Sequence, residues 1–151
     1  MTNFALPSLR KPRLVLAFAG ALALAACQSS RAEPRFVPAE RALGPYSGSV
    51  ASGGFVFASG KVGADRASFA SEVASAIDAV ERELVAHGAT LRDVVSVTVH
   101  LTDIADYAAF NAAYGARFAA PHPARTCVAV AALPGGARVE ITAIARAGGP
   151  R

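Results

Sequence analysis

Apolar residues recur along this chain in two rhythms, and a third apolar run stands apart from both. Between Ser68 and His87, the residues Phe69, Val73, Ile77, Val80 and Leu84 follow one another at steps of three and four. That spacing puts them on one face of an amphipathic helix. Glu72, Glu81, Arg82 and Glu83 fall mostly off the stripe, and Gly88 stands where a helix terminator is expected, because glycine accepts left-handed backbone. Over Asp93–Leu101 the rhythm changes to two. Val95, Val97, Val99 and Leu101 alternate with Ser96, Thr98 and His100, as in a half-buried strand. The spacing predicts a second helix over Ile104–Phe118, with Asp103 as its N-cap. Tyr107, Phe110, Tyr114 and Phe118 then form an aromatic stripe that belongs to a helix-to-sheet core, and Pro121-His122-Pro123 stops the helix.

The remaining stretches read as strands. Gly44-Pro45-Tyr46-Ser47-Gly48 is a loop, and Ser49–Ala51 and Phe55–Ser59, joined by Ser52-Gly53-Gly54, suggest a hairpin. Thr126–Ala131 and Arg138–Ala145 close the chain on either side of Leu133-Pro134-Gly135-Gly136. The order β-β-α-β-α-β-β predicts an α/β (α+β) two-layer sandwich with both helices on one face of a sheet. Val94, Val128, Val130 and Ile144 would make the other face apolar too, which predicts self-association. A simple hairpin about Gly135 would set Glu140 opposite Ala129.

The third apolar run, Leu14–Ala26, is uncharged and follows Arg10, Lys11 and Arg13. It is too short to span a bilayer comfortably and has the anatomy of an export signal over residues 1–26. Its end, Leu24-Ala25-Ala26-Cys27, looks like a bacterial lipobox, whose cysteine is lipidated and becomes the new N-terminus. An ordinary signal cut after Ala26 or Ala32 is the alternative. Gln28 and Ser29 follow, with no Asp directly after the cysteine, a pattern that points to the periplasm or outer membrane. Residues 27–36 then comprise the lipidated cysteine and a polar tether, residues 37–147 the folded domain and residues 148–151 a tail. Three of the 15 Lys and Arg residues and none of the 11 acids lie in the leader. The domain is therefore nearly neutral and gives no electrostatic footprint for nucleic acid.

The chain has no Cys/His set with zinc spacing, no phosphate-binding glycine loop and no GxSxG elbow. Two charged residues stand out by location. Arg125 opens a strand after a proline-stiffened loop, and Glu140 sits between Val139 and Ile141 in an apolar strand. An edge-strand charge or a structural ion pair accounts for either. Composition alone slightly favours that account over a carboxylate clamp at Arg125 and a water-orienting acid/base at Glu140, and spacing alone does not bring the two together.

An ordered series of fragments resembles the RidA/YjgF/L-PSP family across residues 44–147. It runs through Gly44-Pro45-Tyr46-Ser47, Ala58-Ser59-Gly60, Gly88–Val95, Thr98–Asp103 and Phe110–Tyr114. It closes with Pro123–Val128, Ala132-Leu133-Pro134 and Val139–Ala145. The resemblance implies a chorismate-mutase-like fold, a homotrimer with pockets at the subunit interfaces, and hydrolysis of enamine or imine intermediates such as 2-aminoacrylate to 2-keto acid and ammonia. It implies no metal and no organic cofactor. By motif, Arg125 would hold the substrate carboxylate and Glu140 would activate water. Tyr46, Ser59, Gly60, Asn111 and the backbone of Cys127 would line the pocket. Gly48 and Lys61 stand where the family usually has glutamine, at the expected pocket rim. A non-catalytic lipoprotein that binds keto acids, membrane-attached through Cys27, is the alternative function, and a ribonuclease is a third.

Overall fold

The computed structural model describes residues 33–40 and 42–148. The export leader, Cys27, most of the tether and residues 149–151 of the tail lie outside the described residues. The regular elements are β1 (Arg35–Pro38), β2 (Ser47–Ser52), β3 (Phe55–Val62), α1 (Phe69–Val85), β4 (Val94–Leu101), α2 (Tyr107–Gly115), β5 (Ala124–Ala129) and β6 (Val139–Arg146). They form a six-stranded sheet in the order β1-β2-β3-β6-β4-β5, with the apolar side of α1 and α2 packed on one face. All neighbours are antiparallel except β4 and β5, which run parallel. The parallel pair follows from α2, the crossover that a parallel connection requires.

Local chemistry sets most of the element ends. Ser68 caps α1, its hydroxyl accepting the Ser71 N–H at 3.0 Å. Gly53 and Gly54, with φ of 58° and 83°, supply the two positive angles of a tight hairpin turn between β2 and β3. The α1 stripe is buried: Val73, Ile77, Val80 and Leu84 are wholly inaccessible. Opposite them lie Val56 and Ala58 of β3, Val97, Val99 and Leu101 of β4, and Val139, Ile141, Ala143 and Ala145 of β6.

Several expectations need correcting. Arg35 and Phe36, read as tether, belong to β1 and pair with Ala51 and Val50 of β2. The second helix is shorter than Ile104–Phe118. Asp103 instead caps a single 3-10 turn, Ile104–Asp106, by accepting the Ala105 N–H at 2.9 Å, and the α-helix proper ends at Gly115. Tyr107 therefore drops out of the buried stripe, while Phe110, Tyr114 and Phe118 stay in it. A register shift after Val94 turns Val95 outward and Val94 in, as a bulge does. No β5–β6 hairpin forms. The most regularly apolar strand, β6, enters between β3 and β4, where both of its edges are paired, and β5 is left at the sheet edge. Glu140 accordingly lies opposite His100 and Val62, not Ala129. Glu72 is buried on the helix side, where its carboxylate accepts the Arg138 N–H at 2.8 Å.

The face away from the helices carries a row of apolar side chains across four strands, Phe36, Val50, Phe57 and Ile144. Phe36 and Phe57 are well exposed there. Val128 of β5 adds to the same face.

Between β1, β2 and α1 a polar chain runs inward from the exposed Arg35 to the buried His87 and Ser49. Arg35 donates to His87 Nδ1, at 2.9 and 3.1 Å, which leaves His87 Nε2 protonated and facing Ser49 Oγ at 3.0 Å. Ser49 donates in turn to Glu83 Oε2 at 2.8 Å, and Lys61 pairs with Glu83 Oε1. The pKa of His87 is held below the usual 6.5, first by burial and then by the Arg35 charge, with Glu83 opposing. The unfolded chain then binds a proton that the folded chain refuses. This contribution to stability is complete above the unfolded value and is lost as pH falls from there through the folded value. The urea midpoint should be lower at about pH 5.5 than at about pH 7.5, and His87→Gln should narrow the gap. An unchanged gap in the variant would place the acid sensitivity elsewhere.

Candidate active site

Arg125 lies in β5 opposite Val97 of β4, on the helix side of the sheet. Its guanidinium carbon stands 4.7 Å from the ring centre of Tyr114, 5.3 Å from that of Phe110 and 5.8 Å from that of Tyr107. These aromatic faces attract a cation. One terminal nitrogen, Nη2, donates to Asn111 Oδ1 at 2.7 Å and to the Tyr107 hydroxyl at 3.3 Å. Arginine has five N–H donors in a fixed fork. Nε and Nη1 therefore remain uncommitted among the described residues. Arg125 lines a cavity of about 620 Å³ together with Tyr107, Asn111, Tyr114, His122 and Cys127. Burial pushes the Cys127 thiol up, with Arg125 pulling partly back, so the thiol is protonated and a poor nucleophile.

The aromatic stripe assigns Tyr114 to the core alone. It is buried, yet its hydroxyl has no partner among the described residues and it lines the Arg125 cavity. Burial raises its pKa and Arg125 opposes the rise. The signal available in the sequence was spacing: Asn111 and Tyr114 are three apart on α2, so they share the face that meets Arg125.

A second cavity, of about 350 Å³, is lined by Tyr46, Ser59, Gly60, Val62, Pro134 and Glu140, with the Leu43-Gly44 loop beside them. Glu140 is half-buried and has neither ion pair nor hydrogen bond among the described residues. Gly60 lies directly against the Glu140 carboxylate, which would have to move to admit a Cβ there. Ser59 donates to the Ser47 carbonyl at 2.7 Å.

The seven pocket residues expected from sequence thus divide into two sets. Arg125, Asn111 and Cys127 line one cavity; Tyr46, Ser59, Gly60 and Glu140 line the other. Within one chain β4 separates Arg125 from Glu140. Arg125 registers with the buried Val97, and Glu140 with His100 on the opposite face. Neither Gly48 nor Lys61 lines the Glu140 cavity. Lys61 turns under the sheet to Glu83, and a side chain at Gly48 would run into that same carboxylate. Both positions thus meet at the Glu83 carboxylate, behind the residues that line the Glu140 cavity.

Fold and cavities together define a small α+β protein of the chorismate-mutase-like kind, with an arginine-centred pocket and a separate carboxylate pocket. The sequence profile described as Endoribonuclease L-PSP matches residues 38–147. The 2-iminobutanoate/2-iminopropanoate deaminase of Bos taurus is 40% identical over 114 residues, covering 71% of this chain and 83% of the relative. The crystal structure of RidA from an Antarctic Psychrobacter superimposes with a TM-score of 0.68 at 38% identity, covering 74% of this chain and 94% of that one. That of Escherichia coli TdcF with bound serine gives 0.68 at 30%, covering 76% and 100%. The chain belongs to the RidA/YjgF/L-PSP family.

Proposed function

We propose that this protein is a hydrolytic deaminase of short enamine and imine intermediates, of the 2-aminoacrylate kind, yielding a 2-keto acid and ammonia without metal or organic cofactor. The observation that carries this reading is Arg125, which lines a cavity, is oriented by Asn111 and three aromatic rings, and has Nε and Nη1 uncommitted among the described residues. Such a fork binds a carboxylate bidentately. The names of relatives, a 2-iminobutanoate/2-iminopropanoate deaminase among them, support the same chemistry.

A protonated imine is already electrophilic, so the protein needs mainly to orient it and supply water. With the carboxylate on Arg125, water adds to C2 as Glu140 takes its proton and the C=N electrons return to nitrogen. Glu140 then passes the proton to that nitrogen. The C–N bond breaks, the hydroxyl proton follows the departing amine, and keto acid and ammonium result.

One substrate can meet both Arg125 and Glu140 only where two copies of the chain meet, because a single chain holds them on opposite faces. The exposed row of Phe36, Phe57 and Val128 supports an assembly of the trimeric kind, with a site at each interface. The test is ammonia release from freshly generated 2-aminoacrylate by Arg125→Ala and Glu140→Gln chains, alone and after refolding as an equal mixture. Each variant alone should be nearly inactive, and the mixture should regain about one quarter of wild-type activity, since a quarter of the interfaces then pair two intact halves. No regain would sink the shared site. Saturable keto-acid binding by the wild type without any ammonia release would instead establish the binding-protein reading, which the separation of the two sets within one chain favours.

The leader supports export and attachment to the membrane through Cys27, in the periplasm or at the outer membrane. Radiolabelled palmitate should enter the chain in cells and be absent from a Cys27→Ser variant. Equal labelling of both would dismiss the anchor.

A further inference from the structure

Building on the deaminase reading, we propose that Lys61 and Glu83 are positioning residues, whose ion pair holds the Ser59–Gly60 wall of the Glu140 cavity in place from behind. The wall is a weak point of the sheet. Pairing of β2 with β3 ends at Ala58, and pairing of β3 with β6 lapses after Ala58 and resumes at Lys61. Ser59 and Gly60 therefore occupy a bulge with no ladder partners on β6. Bulges re-aim the chain next to functional sites, and this one must be held at both ends. At one end the Ser59 hydroxyl is bonded to the Ser47 carbonyl. At the other, Lys61 sends its side chain to the helix side, where its ammonium meets Glu83 of α1. Both side chains are largely buried, at 15% and 12% exposure.

The consequence reaches Glu140 through contact. Gly60 lies so close to the Glu140 carboxylate that not even a methyl group fits between them, and Val62, one residue past Lys61, is the cross-strand neighbour of Glu140. A shift of the bulge moves the surface against which that carboxylate rests. The pair is itself well braced. Glu83 accepts from Ser49, which contacts His87, which accepts from Arg35, and Gly48 leaves the space that the Glu83 carboxylate occupies. A buried ion pair is costly to desolvate and seldom improves on an apolar pair in stability. Fixed geometry is what it supplies here.

The test compares two double variants of the full chain that differ only at position 61. Lys61→Met with Glu83→Gln cuts the tie, whereas Lys61→Gln with Glu83→Gln replaces the ion pair with a neutral hydrogen bond. Both have the net charge of the wild type and keep an amide beside Ser49 in place of the Glu83 carboxylate. Ammonia release should show kcat reduced about tenfold or more in the variant carrying Lys61→Met, with KM within about twofold, since displacements of an ångström cost rate steeply. The variant carrying Lys61→Gln should recover most of kcat. A readout independent of turnover is the ¹³C titration of the Glu140 carboxyl, assigned with Glu140→Gln. Its midpoint should move when the tie is cut and coincide with the wild type when the neutral hydrogen bond replaces it. Equal kcat and equal titration in the two variants would overturn the proposal. If the wild type releases no ammonia, the deaminase reading falls, and the carboxyl titration alone still decides whether the pair sets the surroundings of Glu140.

Discussion

Arg125→Ala should lower kcat/KM for 2-aminoacrylate hydrolysis by about 10²–10³-fold, because truncating one partner of a buried, hydrogen-bonded charge pair costs about 3–4 kcal/mol and each 1.36 kcal/mol is a factor of ten. The loss has two sources. The substrate carboxylate loses its fork, and the reacting carbon loses the anchor that sets its distance from water. Asn111 and Tyr107 would also lose the guanidinium that they orient. Arg125→Lys should recover only part of the loss, since an ammonium restores charge without the planar fork. Steady-state ammonia release beside a sedimentation profile separates chemistry from assembly. Activity of Arg125→Ala within about threefold of the wild type would remove the residue from the site, since a loss that small is what an exposed ion pair worth about 0–1 kcal/mol gives.

Glu140→Gln should act differently. Glutamine keeps the shape that rests against Gly60 but cannot accept a proton from water at neutral pH. Removal of a general base costs about 10²–10⁴-fold, and the loss should fall on kcat, with KM close to the wild type because the carboxylate clamp lies in the other cavity. A raised KM with unchanged kcat would make Glu140 a binding residue and return the question of which group activates water.

Periodicity made much of the fold legible. The stripe of Val73, Ile77, Val80 and Leu84 predicted α1, and all four are wholly buried; Ser68 and Gly88 marked its ends. Strand partners were not legible. An alternating pattern states which side of a strand is apolar and nothing about its neighbour, so the entry of β6 between β3 and β4 was invisible from Val139–Arg146 alone. The buried polar groups were missed for a related reason. Ser49, Glu72 and His87 are inside because each has a partner remote in sequence, and hydropathy registers the residue but not the partner. Chemistry at the site was legible as residue types. Its division between two faces of the sheet was not, because that depends on the same strand order.

Were Cys27 to carry the proposed anchor, the start of β1 at Arg35 would set the length of its leash. With an acyl chain on Cys27, only residues 28–34 separate lipid from sheet, a span of at most about 25 Å when fully extended. Each copy in a trimer would bring its own anchor on an equally short leash. Detachment of one anchor would leave the other two holding it at high local concentration near the bilayer, so release would become a joint event of three detachments rather than one. The enzyme would then sample only a thin layer of solution above the membrane, and its working concentration would be set by surface density.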